Sequence, residues 1–403
     1  MNTVTLAWRY LWSRPLTTAL NALMLTLGFA AMAFVFSARD QIDRAFERDL
    51  AGLDAVIGAK GSPLQLILAG VFHLDVPPGN IPLSEVETLR VHPQVRQIIP
   101  LSLGDNVAGY RIVGTTHDYV LHYGAGVVLG QLWDQPMEAV LGAQVAQTTG
   151  WKPGQRFVGI HGLGAGGEAH EDTPYTVSGT LAPCGCVLDR LVLTATESVW
   201  QVHDDLHGDE ELSEEDRASL QADREITLAL VTYRSPIAAV TFPRFVNSTT
   251  SMQAAAPASE ITRLLTLLGA GTQVLQGFGL TLLIMAGLSV FVALWSAVRE
   301  REPDLAMLRM LGTRPGRLVG LLLAEASWLA LPAAAAGLLL SQVLLAGLGT
   351  WLPAGGSSLL GAWRWTPTLA WIPLIAVLMA CLAAALPAWR AWRLDVMTLL
   401  NRS

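Results

Sequence analysis

Residues 15–37 read PLTTALNALMLTLGFAAMAFVFS, and the nature of this run decides the architecture of the chain. It carries no charged side chain, and a helix rising 1.5 Å per residue needs about 20 such residues to cross roughly 30 Å of hydrocarbon. A secretory signal also opens on an apolar run, but its core is only about 7–15 residues long. The stretch therefore reads as an uncleaved membrane span.

The totals agree with that reading. Of 403 residues, 52% are hydrophobic and 15% charged, with a mean hydropathy of +0.42, which is too apolar for an ordinary soluble enzyme. Three more apolar runs of spanning length lie at 270–298, 318–348 and 368–389. Pro332, Pro373 and Glu325 fall inside them; a helical bundle can shelter such residues, and the closeness of Glu325 to a basic loop predicts an interfacial position for it.

The arginines orient the spans. Arg9 and Arg14 precede the first; Arg299, Arg301, Arg309, Arg314 and Arg317 separate the second from the third; Arg390, Arg393 and Arg402 follow the fourth, against Arg364 alone in the other short loop. Positive loops stay in the cytoplasm, so both termini and the 299–317 loop are expected inside and the long segment 39–263 outside. That segment holds 15 of the 26 Lys+Arg, 28 of the 33 Asp+Glu, a net charge of −13, and all eight histidines. The expected organisation is 1–38 leading helix and first span, 39–263 outer domain with its stalks, 264–298 second span, 299–317 cytoplasmic loop, 318–348 third span, 349–367 short outer loop, 368–389 fourth span and 390–403 tail.

Within the outer segment, ARDQIDRAFERDL places Ile42, Ala45, Phe46 and Leu50 at helical spacing, so the first span is expected to continue outward as a stalk. ASEITRLLTLL leads into the second span in the same way. Between the stalks, QVRQIIPLSL, YRIVGTT, RFVGIHG, YTVSGTLAP, RLVLTA and EITLALVTY read as half-buried strands. PLSEVETLRVHP and MEAVLGAQVAQTTG (137–150) read as helices among them. The predicted fold is thus membrane α-helical, with four transmembrane helices and an α+β extracytoplasmic domain inserted between helices 1 and 2.

Motifs bound the chemistry. The only lysines are Lys60 and Lys152, and no G-x-x-x-x-G-K-[ST] loop occurs, so the chain is not its own P-loop ATPase. HGLGAGG at 161–167 is glycine-rich but lacks the strand-to-helix setting of a dinucleotide site, and reads as a flexible loop. His203 and His207, with Asp204 between them, have the i, i+4 spacing that puts two imidazoles on one helical face. Asp is a methylene shorter than the Glu base of a zinc protease and no third ligand follows by spacing; the alternatives are a divalent-metal binding site and an acidic solvated loop, since 203–225 is strongly acidic. The pairs His117 and His122, and His161 and His170, give weaker signals. Cys184 and Cys186 in PCGCV lie on the oxidising side; a redox-active pair or strained disulfide, a metal clip, pairing with another chain and two unpaired thiols all remain open.

Several segments together resemble a family. LAWRYLWSRPLTTALNALMLTLGFAAM, the loop REREPDLAMLRMLGTRPGR (299–317), and the ending LPAWRAWRLDVMTLL are similar to the first span, the cytoplasmic R-R-x-E-I-x-x-L-R-A-L-G-A loop and the P-A-x-x-A-x-x-x-x-P-x-x-x-L ending of MacB/LolC/FtsX-type ABC transporter permeases. The layout of one span, a large outer domain and three spans is also theirs. Asp304 stands where Glu is usual, Pro303 precedes it, and Val396 replaces the tail proline.

The resemblance implies a non-catalytic permease subunit in the bacterial inner membrane, a homodimer in the lipid bilayer, paired with a separate ABC ATPase that carries ATP and Mg. Its task would be export, extraction or mechanotransmission, with a periplasmic or outer-membrane partner and no nucleic acid. The histidines leave a metal-related role open; the alternative is a membrane-anchored periplasmic metal-binding sensor without an ATPase. In the loop, Pro303 and Asp304 suit the first turn of a helix. Leu305, Met307, Leu308, Met310 and Leu311 make an apolar face flanking Arg309, and Gly312 with Pro315 stops it. Such a short amphipathic helix is expected to dock in a groove of the ATPase.

Overall fold

The computed structural model describes residues 3–162, 167, 169, 170, 172–204, 224–300, 307, 310, 313–351, 363 and 366–392. They fall into two compact units, one of residues 1–42, 268–349 and 360–403, the other of residues 43–267 and 350–359.

The first unit is built from long apolar helices. α1 spans Thr3–Trp12, α2 Pro15–Asp49, α9 Pro257–Glu300, α10 Pro315–Trp351 and α11 Trp371–Trp392, the last led by a 3-10 turn at Pro367–Ala370. Four segments, Pro15–Asp49, Gln273–Glu300, Pro315–Leu348 and Pro367–Trp392, are long and apolar enough to cross a membrane. In hydrocarbon only a helix or closed barrel satisfies every backbone group, which is why such runs become helices. Ala376, Ala380, Ala384, Ala388 and Ala391 on α11 are buried, whereas Leu374, Leu378, Leu382 and Leu386 are exposed. Small residues inside and large ones outside let helix backbones approach where no hydrophobic gradient drives them together. Gly337 of α10 lies against α2: a Cβ there would lie 2.8 Å from Phe29 Cβ and 2.9 Å from the Thr26 carbonyl. Glu325 faces inward, 3% exposed, beside Tyr10, Val298 and Leu322.

The second unit is an α+β domain. Its main sheet contains β1 (Ala55–Ala59), β3 (Val95–Val107), β4 (Tyr110–Thr115), β5 (Val127–Gly130), β6 (Glu138–Leu141), β9 (Tyr175–Leu181), β10 (Leu191–Ala195), β12 (Leu228–Tyr233) and β13 (Met252–Ala255). The order is β13-β1-β12-β3-β4-β10-β6-β9-β5; two short strands, β7 (Arg156–Phe157) and β8 (Ile160–His161), pair with β9 and β3, and β2 (Ile81–Pro82) pairs separately with β11 (Glu225–Ile226). The helices are α3 (Pro63–Gly70), α4 (Leu83–Arg90), α5 (His117–His122), α6 (Ala143–Thr149), α7 (Thr196–Asp204) and α8 (Ala238–Thr249).

Alternation along the strands sorts side chains to the two faces of the sheet. Val56, Val113, Val140, Leu193, Leu228 and Leu230 enter one core. Their neighbours point the other way: Ile57, Ala229 and Val231 join a second core with α4 and α8, and Ile112, Ala139, Leu141 and Val192 a third with α6. With both faces covered, the strands read as nearly continuous apolar runs.

One expectation is corrected here. Residues 137–150 are not a single helix: Glu138–Leu141 is a strand, paired with β10 and β9, and only Ala143–Thr149 is helical. Gly142 divides them, because a Cβ there would meet the Leu188 carbonyl at 2.1 Å. RFVGIHG likewise resolves into two short strands, β7 and β8.

Candidate functional site

The outer domain is tied to the helices at both of its ends. Phe46 and Leu50, in the last turns of α2, pack on the first core, with Phe46 4.8 Å from the Phe72 ring. Ile261 and Leu264, in the first turns of α9, belong to the same core. Apolar residues at helical spacing thus continue past the membrane-spanning length because these turns have a protein core to enter.

Asp49 closes α2 with a polar lock. Its carboxylate is 1% exposed and accepts a 2.8 Å hydrogen bond from the Arg190 guanidinium, itself 6% exposed. The Tyr123 hydroxyl donates to the Asp49 carbonyl at 2.7 Å, and His122 Nε2 lies 2.9 Å from the Ala51 carbonyl. Burial raises the Asp49 pKa more than Arg190 lowers it. The attraction therefore does not fully offset the loss of water, and the pair specifies position more than it stabilises.

Cys184 and Cys186 adjoin this lock. They form a disulfide with Cα atoms 5.1 Å apart, one of the arrangements the sequence left open. Gly185 between them has φ +66°, and a Cβ there would lie 2.8 Å from Arg48 Nη1. The Asp189 carboxylate accepts from the Cys184 and Gly185 amides at 2.9 and 2.7 Å. The disulfide-closed turn thus rests against the end of α2.

Behind it lies His73, 6% exposed, with Nε2 3.1 Å from the Tyr119 hydroxyl. Burial and then the charges of Arg111 and Arg190 hold its pKa well below the ordinary imidazole value. Burial also lowers Arg111 to about 10, while its guanidinium donates to the Asp75 carbonyl.

A second polar cluster forms at the end of β3. Asp105 pairs with His161 across β3 and β8, and His161 Nδ1 and His170 Nε2 lie 3.4 and 3.6 Å from Asp105 Oδ1. The three ligand-type atoms all fall within 4.8 Å of one another. The strand register, not the sequence spacing, assembles this group. The sequence signal was weak: two histidines bracketing a glycine-rich loop, and one acidic residue in an apolar strand.

Of the coupling residues expected from the sequence, Met307 and Met310 are helical and exposed, 62% and 61%; Asp304, Leu305, Leu308, Arg309, Leu311 and Gly312 lie outside the described residues. His203 and Asp204 end α7, but their side chains, and His207 entirely, lie outside the described residues as well.

Two families of known proteins match the chain. Residues 18–239 match the family described as MacB-like periplasmic core domain, and residues 277–396 match the FtsX-like permease C-terminal family. The outer domain is similar to the periplasmic region of MacB from Actinobacillus actinomycetemcomitans, at 12% identity and TM-score 0.35, covering 53% of this chain and 95% of that one. It is also similar to the extracellular domain of the noncanonic ABC-type transporter YknZ from Gram-positive bacteria, at 11% identity and TM-score 0.30, covering 50% and 99%. No curated protein sequence matches the chain. Four membrane-length helices, with an α+β domain between the first and second in chain order, and these family matches define the class, a multi-pass transmembrane subunit of an ABC transporter. Within it, the chain belongs to the MacB/FtsX-type permeases, a non-catalytic permease type of the bacterial inner membrane.

Proposed function

We propose that this permease pairs as a homodimer with a separate ABC ATPase and converts that partner's ATP and Mg cycle into motion of its periplasmic domain, for export, extraction or mechanotransmission. ATP-driven force enters at residues 304–312 on the cytoplasmic side, where both termini also lie, and leaves through the 39–263 segment toward a periplasmic or outer-membrane partner.

The observation that carries this reading is the anchoring of α2 and α9. Each is one unbroken helix that includes a membrane-length run, and each places apolar side chains, Phe46 and Leu50 or Ile261 and Leu264, in the domain's own core. A helix held at its end by packing and by a buried ion pair can pass displacement into that core; a loose tether could not. The exposed Met307 and Met310, three positions apart and so on one helical side, support a docking face toward the ATPase. Pull-down of the intact chain from native membrane tests it: an ABC ATPase should be recovered in a fixed ratio, and its absence would contradict the proposal.

A second reading, a membrane-anchored periplasmic metal sensor without an ATPase, is favoured by one observation, the Asp105, His161 and His170 cluster.

A further inference from the structure

We infer that Asp105, His161 and His170 form a site for a divalent transition-metal ion of the zinc type on the outer domain. This deepens the metal-related reading and is independent of the ATPase: loss of either leaves the other standing.

The Asp105 side chain is 3% exposed, and among the described residues neither carboxylate oxygen accepts a hydrogen bond. A carboxylate withdrawn from water without hydrogen bonds is costly unless a positive charge meets it. The nearest nitrogens, His161 Nδ1 and His170 Nε2, stand at 3.4 and 3.6 Å, beyond the ordinary 2.7–3.2 Å range for a strong N–H···O bond. Ligands about 2.0–2.1 Å from a tetrahedral ion are separated by roughly 3.4 Å. The two Asp105–histidine distances match that separation and are longer than those of strong hydrogen bonds, and all three atoms lie within 4.8 Å of one another.

The chemistry of the set selects the ion. Two imidazole nitrogens and one carboxylate oxygen suit zinc and its first-row neighbours; calcium and magnesium prefer oxygen alone. The backbone holds the groups in place: Asp105 and His161 are cross-strand partners, and the His170 amide donates to the Gly159 carbonyl at 3.1 Å. Asn106 Nδ2 donates to the carbonyls of Ile160 and Gly162 at 3.2 and 2.8 Å. Gly159 leaves space beside the carboxylate, since a Cβ there would lie 3.3 Å from Asp105 Oδ2. His161 is 58% exposed and His170 14%, so the site opens to solvent on one side, where an ion can enter and keep a water.

Zinc titration of the full chain in detergent, stripped of metal beforehand, tests the assignment. The wild type should bind one Zn²⁺ at this site, and Asp105→Asn and His170→Gln should each weaken that binding by at least about 10-fold. His161→Ala, at an exposed position, should do the same with the fold intact, which keeps the test valid if Asp105→Asn fails to fold. Bound Co²⁺ should give the visible absorption of a tetrahedral ion in the wild type and not in these variants. A His203→Ala/His207→Ala variant should bind as the wild type does. Absence of zinc binding by the wild type, unchanged affinity in His161→Ala and His170→Gln, or loss only in the His203/His207 variant would each overturn the assignment.

Discussion

Asp49, in the last turn of the 35-residue helix α2, is ion-paired at 2.8 Å to Arg190 inside the periplasmic domain, 141 positions further along the chain. Because burial raises the Asp49 pKa despite Arg190, the pair is a positioning device, and the two ways of removing it should differ. Asp49→Ala leaves Arg190 charged and buried and should destabilise the domain by about 3–5 kcal/mol; Asp49→Leu with Arg190→Leu should recover most of that loss. Thermal denaturation of the full chain in detergent reads both.

His73 should make the domain sensitive to mild acid. Its folded pKa lies well below 6.5, because burial first, then Arg111 and Arg190, oppose the charged form. Above that unfolded value both states are neutral and the stability is fully present. As the pH falls below it, the unfolded chain takes up a proton that the folded one refuses, and stability declines by up to about 1.4 kcal/mol per pH unit. Asp49, raised by burial, has the opposite sign: its folded form takes the proton first, so acid relieves its cost between its folded pKa and 3.8. His73→Asn, chosen because φ is +54° and Asn tolerates that region, should flatten the decline between about pH 6.5 and pH 5 in denaturation midpoints.

The Cys184–Cys186 bond closes a very short loop, so little chain entropy is removed from the unfolded state. Reduction, or Cys184→Ser with Cys186→Ser, should cost no more than about 2 kcal/mol. Alkylation of the denatured, unreduced chain should label Cys381 alone, the one cysteine outside the disulfide, as mass spectrometry would read.

In the membrane unit, Gly337→Val would force side-chain atoms against Phe29 and the Thr26 carbonyl, already 2.8 and 2.9 Å from a Cβ position. It should lower stability by about 1–3 kcal/mol. Gly320→Ala, where nothing lies within 4 Å, should be close to neutral in the same detergent melting assay.

Much of this architecture could be read in the sequence because membrane spans and alternating strands each impose a long, regular pattern. The runs at 15–37 and 368–389 need no tertiary information, since hydrocarbon leaves the backbone no other choice. Residues 138–141 do not stand out as a strand because only Gly142 separates four strand residues from seven helical ones, and glycine is also tolerated in a helix. The lock and the Asp105, His161 and His170 group are hidden for a different reason. Asp49 and Arg190 are far apart in sequence and meet only where the end of α2 packs on the domain, and Asp105 meets His161 only through the sheet register. His203 and His207 advertised a spacing; Asp105, His161 and His170 had none to offer.

On the proposed function, a partner's ATP cycle enters through the 304–312 segment. Co-purification of the ATPase with Met307→Asp/Leu308→Asp tests it most directly, against wild type and with membrane insertion measured in parallel. The doubly substituted chain should insert normally and lose the ATPase from the complex. ATPase recovered at wild-type yield with the doubly substituted chain would contradict it.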